Sequence, residues 1–150
     1  MSGTFRMRED IALADVAFEA SGDSPSELCH AATRALIELL AEPTTVGTSW
    51  TTTIERDADT LADLVFDWLN ELVYLKDAEL VLFHRIDIEC RHEGSPDTAD
   101  GPWRLHASLV GAPIDPATQV LRSDVKAVTK HLYRVERCDT GWRALVVVDV

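Results

Sequence analysis

The chain has 150 residues, 46% of them apolar, and a net charge of −12 from 26 acidic against 14 basic side chains. That length suits one compact domain with its own core, so residues 1–150 are read as a single domain. The acidity argues against a strong direct grip on nucleic acid, which needs basic patches to neutralise phosphates; the longest basic stretch, Lys126 to Arg137, mixes its bases with acids. In chain order, Phe5, Met7 and Glu9 alternate with Arg6 and Arg8, a short strand signal. From Ala14 to Ala20 the residues Val16, Phe18 and Ala20 share one face of a second strand. Ser24-Pro25-Ser26-Glu27 is a capping box with proline at the first helical position. Leu28, Ala31, Ala32, Ala35, Leu36, Leu39 and Leu40 then keep helical spacing until Glu42-Pro43 stops the helix.

Trp50 to Arg56 is rich in Thr and reads as a strand. Thr60 and Asp63 form a second capping pair, and Leu61, Leu64, Val65, Trp68, Leu72 and Leu75 form a second helical stripe. Glu79 to Cys90 is an apolar run followed by alternation, and Glu93 to Pro102 reads as a loop. Trp103 to Val110 reads as a strand ending in a turn at Gly111-Ala112-Pro113. Asp124 to Cys138 and Trp142 to Val150 read as the last two strands, joined by a hairpin turn at Asp139-Thr140-Gly141. Two helices among strands, with a β-rich second half, predict an α+β domain.

Several chemistries find no support. Cys29, Cys90 and Cys138 are widely spaced and odd in number, which argues against a zinc ribbon or a disulfide framework. Cys29 falls in the first helical pattern and reads as a small core residue. The five histidines lack the spacing of a zinc hydrolase, and neither a nucleophile elbow nor a glycine-rich phosphate loop is present. No organic cofactor is expected. No segment is apolar for the roughly 18 to 20 residues of a membrane span. Met1 to Arg8 is followed by no apolar signal-type stretch, so the expected location is the cytoplasm. The net charge gives solubility, and also suits docking onto a basic protein or holding a cation.

Four stretches, in order along nearly the whole chain, resemble the archease family. Ala14-Asp15-Val16 stands in the place of the family's H-T-A-D-V. The segment Asp63-Leu64-Val65-Phe66-Asp67-Trp68-Leu69-Asn70-Glu71-Leu72-Val73-Tyr74-Leu75 is close to D-L-L-V-D-W-L-N-E-L-L-Y-L. Gly111-Ala112-Pro113-Ile114-Asp115 and Asp124-Val125-Lys126-Ala127-Val128-Thr129-Lys130-His131 match G-E-P-x-D and E-V-K-A-V-T-Y-H, and Asp149-Val150 matches a terminal D-[IV]. The chain departs from the pattern at Ala12 and Leu13, where His and Thr are usual, and at Ala112, Gln119 and Lys130, which replace Glu, His and Tyr. Any role of those five family side chains is absent here.

The resemblance implies a strand–helix–strand–strand module with two helices packed on a mixed or antiparallel sheet. It implies a non-enzymatic accessory protein. Its partner would be a manganese- and GTP-dependent RNA ligase of tRNA splicing and RNA repair, whose active-site histidine it helps to guanylylate so that the ligase turns over repeatedly. Some relatives are described as helping a tRNA methyltransferase instead; the alternatives are such a chaperone-like modulator, a small metal-binding protein whose ligase role is lost, or a small metal-dependent enzyme using Asp15 and Asp149, for which the sequence offers no general base or substrate pocket. The resemblance also assigns Asp15, Asp149 and the backbone or terminal carboxylate of Val150 to a site for a divalent metal, Ca²⁺ or Mg²⁺/Mn²⁺. Read as residues alone, Asp15 and Asp149 are strand-end acids that solvation accounts for. Lys126 and His131 read as strand residues that support the site, face the partner or meet solvent. Asp67, Asn70 and Glu71 lie off the second helical stripe, on a polar side that either water or a partner reads.

Overall fold

The computed structural model describes residues 3–8, 15–93 and 102–150. The departures at Ala12 and Leu13, the residues Glu9 and Ala14, and the interior of the predicted 93–102 loop lie outside them. The order is β1 (Thr4–Arg8), β2 (Val16–Gly22), α1 (Pro25–Leu40), a 3₁₀ turn (Pro43–Thr45), β3 (Trp50–Ala58), α2 (Leu61–Glu79), β4 (Val81–His92), β5 (Trp103–Pro113), β6 (Ala127–Cys138) and β7 (Gly141–Asp149). No helix among the described residues is long and apolar enough to cross a membrane.

The α+β class holds, with one refinement. The strands form two sheets rather than one, ordered β1-β2-β7-β6 and β3-β5-β4, and every pairing between them is antiparallel. Alternation along a strand sets which face is buried, but it carries no information on which strand is the neighbour. The N-terminal strand β2 thus pairs with the C-terminal strand β7, from Val16 opposite Val148 to Gly22 opposite Trp142. In β2 the predicted inward residues Phe18 and Ala20 are buried, and so is Ala17 on the other face.

Both helix starts follow the cap chemistry. Ser24 Oγ accepts the Glu27 N–H at 3.2 Å. The Glu27 carboxylate accepts the N–H of Asp23 at 2.8 Å, one residue before the cap. Thr60 Oγ1 accepts the Asp63 N–H at 3.1 Å. The open carbonyls at the end of α1 are taken by a distant segment: Arg122 N–H donates to Leu40 O at 3.0 Å and Ser123 N–H to Leu39 O at 2.8 Å. The two helices meet through one buried chain of hydrogen bonds. Trp68 Nε1–H donates to Thr33 Oγ1 at 2.9 Å, and that hydroxyl donates to Cys29 O at 2.6 Å. The buried face of α2 is wider than its predicted stripe, taking in Leu69, Val73 and Lys76 as well.

One predicted turn is corrected and the other, the β6–β7 hairpin, holds with its loop one residue shorter. Gly111-Ala112-Pro113 is the end of β5, with Gly111 paired to both Trp50 and Phe83. A Cβ on Gly111 would lie 2.0 Å from Leu82 O, so glycine is there for the close approach of strands and not for a bend. At the β6–β7 hairpin the loop is Asp139-Thr140, and Gly141, at φ 141°, already pairs with Cys138. In the 114–126 connection, Gln119 is nearly buried, accepting the Asp115 N–H at 2.7 Å and donating to Pro113 O at 2.9 Å. This departure from the family pattern therefore closes its own loop.

Candidate functional site

Three strands end together. Asp15 directly precedes Val16, whose partner Val148 directly precedes Asp149, so both acids lie at the same end of the β2–β7 pair. On the other side of β7, Ala127 of β6 pairs with Asp149, and Lys126 N–H donates to Asp149 O at 2.7 Å. Val150 follows directly. Asp15, Lys126, Asp149 and Val150, four residues singled out in the sequence, thus share one end of the four-stranded sheet. Asp149 and Lys126 are exposed, and Asp15 and Val150 are half-buried. Among the described residues, no hydrogen bond or ion pair engages either carboxylate. The donor set is all oxygen and part anionic, which suits a hard cation. No group of three or more His, Cys, Asp or Glu among the described residues is placed to hold a metal.

Helix α2 holds the Lys126 segment in place from both sides. The Asn70 carboxamide accepts the Val128 N–H at 3.0 Å and donates to Val128 O at 3.2 Å, as a neighbouring strand would. One helical turn and a half further on, Lys76 Nζ lies 2.6 Å from Asp124 Oδ1, 2.8 Å from Val125 O and 2.9 Å from Asp77 Oδ1. Burial alone would lower the Lys76 pKa, but the hydrogen bonds and charges of Asp124 and Asp77 outweigh it and hold the ammonium above its ordinary value. The hydrogen bond and charge of Lys76 hold Asp124 below the usual carboxylate range. Lys126 stands between these two anchors.

The remaining candidates are not at the sheet end. Glu71 is tied to Arg56 of β3 at 3.0 Å, so it links α2 to the second sheet. Asp67 is exposed on α2. His131 is exposed in an irregular stretch of β6, where the register with β7 breaks between Thr129 and Arg134. Lys130, another departure, spans to α2: its ammonium lies 3.9 Å from the Phe66 ring centroid and 3.7 Å from Asp63 Oδ1. Tyr133 O–H donates to Ala62 O at 2.6 Å.

Sequence reasoning missed Lys76 and undervalued Asn70. Lys76 carried a signal, since it falls four residues after Leu72 on the apolar stripe, where a lysine needs a buried partner. Asn70 carried none, because its partner Val128 is 58 residues away.

The Archease protein family (MTH1598/TM1083) model matches residues 5–150. The protein archease of Methanopyrus kandleri is 32% identical over 139 residues, covering 91% of this chain and 94% of its own. That of Archaeoglobus fulgidus is 31% identical over 137 residues, covering 91% and 93%. The solution structure of Methanobacterium thermoautotrophicum protein 1598 superposes with a TM-score of 0.79 at 25% identity, covering 97% of this chain and 98% of that one. A crystal structure from Thermotoga maritima, described as an archease and possible chaperone, gives 0.64 at 23% identity over 97% and 98%. With the family pattern matched from Phe5 to Val150 and the fold shared end to end, this chain belongs to the archease family.

Proposed function

We propose that this protein is a cytoplasmic accessory factor, not an enzyme, that renews a GTP- and manganese-dependent RNA-splicing ligase by promoting guanylylation of the ligase's active-site histidine. The observation that carries the reading is the convergence of Asp15, Asp149 and Lys126 at one sheet end, with both carboxylates unpaired among the described residues. A sheet end that carries two carboxylates suits docking at a metal- and nucleotide-binding cleft of a basic protein. Asp15, Asp149 and the main-chain oxygen of Val150 would share a divalent ion there, the partner completing its shell. Such an ion would supply charge neutralisation at a transferring phosphate. What the chain itself supplies is position. The β2–β7 pairing brings the chain at Asp15 and at Asp149 to one end of the sheet, and Asn70 and Lys76 hold the segment that carries Lys126.

The test is RNA joining at limiting ligase with GTP and Mn²⁺. Wild type is expected to turn a single round into many. Asp15→Ala and Asp149→Ala are expected to lose on the order of 10- to 100-fold of that stimulation, the range seen when groups that orient a metal site are removed. Unchanged turnover with both variants sinks the carboxylate mechanism. No stimulation by wild type shifts the partner to a tRNA methyltransferase, which co-purification would then reveal.

A further inference from the structure

The irregular stretch of β6 is not explained by the sheet end alone. Between Thr129, opposite Val147, and Arg134, opposite Leu145, four residues of β6 face a single residue of β7. Both flanks are fastened to α2, Lys130 by Phe66 and Asp63 and Tyr133 by the Ala62 carbonyl. The two residues between, His131 and Leu132, are exposed, and Leu132 sits at φ 53°, a left-handed conformation that a Cβ makes costly. Its apolar side chain is 50% exposed.

The bland account is that a bulge protects an edge strand from pairing with other chains. That edge is already covered, since α2 satisfies Val128 through Asn70 and reaches β6 again at Tyr133. A protective bulge would also be served by Gly or Asn at the left-handed position, and a half-exposed leucine works against it.

We propose that His131 and Leu132 form a docking knob, with Leu132 entering an apolar pocket on the protein partner that receives the Asp15/Asp149 end. The inference rests on the accessory-factor reading and deepens it. Continuity carries the assignment. Lys130 lies three residues along β6 from Ala127, the partner of Asp149, roughly 10 Å at strand spacing, so one partner covers both. Charge complementarity specifies the rim of that pocket as polar and of mixed sign, because Asp63 and Asp67 of α2 and Lys130 and Arg134 of β6 are all exposed beside the knob.

The experiment titrates wild type, Leu132→Asn and Val120→Asn against the cognate GTP-dependent RNA ligase and reads turnover. Asn tolerates the left-handed position, so Leu132→Asn is expected to keep its melting temperature; Leu132→Gly serves as a second variant. Val120, 55% exposed elsewhere, controls for loss of any surface apolar group. The expected result is a roughly tenfold rise in half-maximal concentration for both Leu132 variants at an unchanged plateau, with Val120→Asn like wild type. Asp149→Ala lowers the plateau instead. Wild-type half-maximal concentration for both Leu132 variants, with Asp149→Ala still defective, overturns the knob and leaves the accessory reading standing. A lowered plateau at unchanged half-maximal concentration also overturns it, since the residue would then act at the chemistry. No stimulation by wild type removes both.

Discussion

Asn70 replaces a missing strand at one position. Its carboxamide carries the donor and acceptor of a peptide group, so it can take both the N–H and the C=O of Val128 where β6 has no neighbour. Asn70→Ala leaves both groups to water or unpaired, and is expected to cost about 2 kcal/mol in urea denaturation. The same change should speed amide exchange at Val128, and Asn70→Asp, which keeps the acceptor, should protect that amide better than Ala does. Tyr133, on the same side of α2, makes stability pH-dependent. Burial pushes its hydroxyl well above the usual tyrosine value, and Asp63 and Asp67 add to the effect. The folded state therefore holds this proton more tightly than the unfolded chain, which titrates near pH 10, about the ordinary tyrosine value. The contribution is fully present below that pH and is lost as pH rises. The raised Lys76 acts with the same sign. Stability should fall above about pH 10. Tyr133→Phe should cost about 1 kcal/mol at neutral pH through the lost bond to Ala62 and make the alkaline fall shallower, as read by chemical denaturation at both pH values.

At the scale of elements, what was legible was local. Ser24 and Thr60 announce their helices because a cap bonds three residues away. The stripes of α1 and α2 announce their buried faces because a helix repeats within one turn. What was not legible was pairing at long range. Nothing near Gly111 says that it lies against Leu82 rather than in a turn, and nothing in the alternation of β2 says that β7 is its partner. The site divides along the same line. Asp15, Asp149 and Lys126 could be picked out individually through family resemblance, while their convergence depends on the β2–β7–β6 register. The break at His131 was hidden because a strand pattern with one extra stretch still reads as a strand. Element α2 ties these pieces together: Asn70, Lys76 and Ala62 reach three successive parts of the 124–133 segment, so the helix that carries one of the quoted family motifs anchors the segment that carries another.

For the whole molecule, charge decides how the sheet end meets its partner. Most of the basic side chains are engaged in ion pairs, among them Arg6, Arg56, Lys76, Arg122 and Arg143. Pairing cancels equal numbers of acids and bases and leaves the net −12 unchanged, so a partner approaching from a distance meets a net negative charge. Screening shortens its reach from about 10 Å at about 0.1 M salt to about 3 Å at about 1 M. Field steering acts on encounter and not on the close contacts formed afterwards, so the two rate constants should separate. Raising salt from about 0.05 to about 0.5 M is expected to slow association with the ligase by on the order of tenfold, with a much smaller change in dissociation. Stopped-flow association and dissociation measured across that range check it. Leu132→Asn should show the opposite division, faster dissociation with the salt dependence of association unchanged, because its side chain carries no charge. A salt-independent association rate would mean that the acidity of this chain serves solubility alone, and that the sheet end finds its partner by contact chemistry.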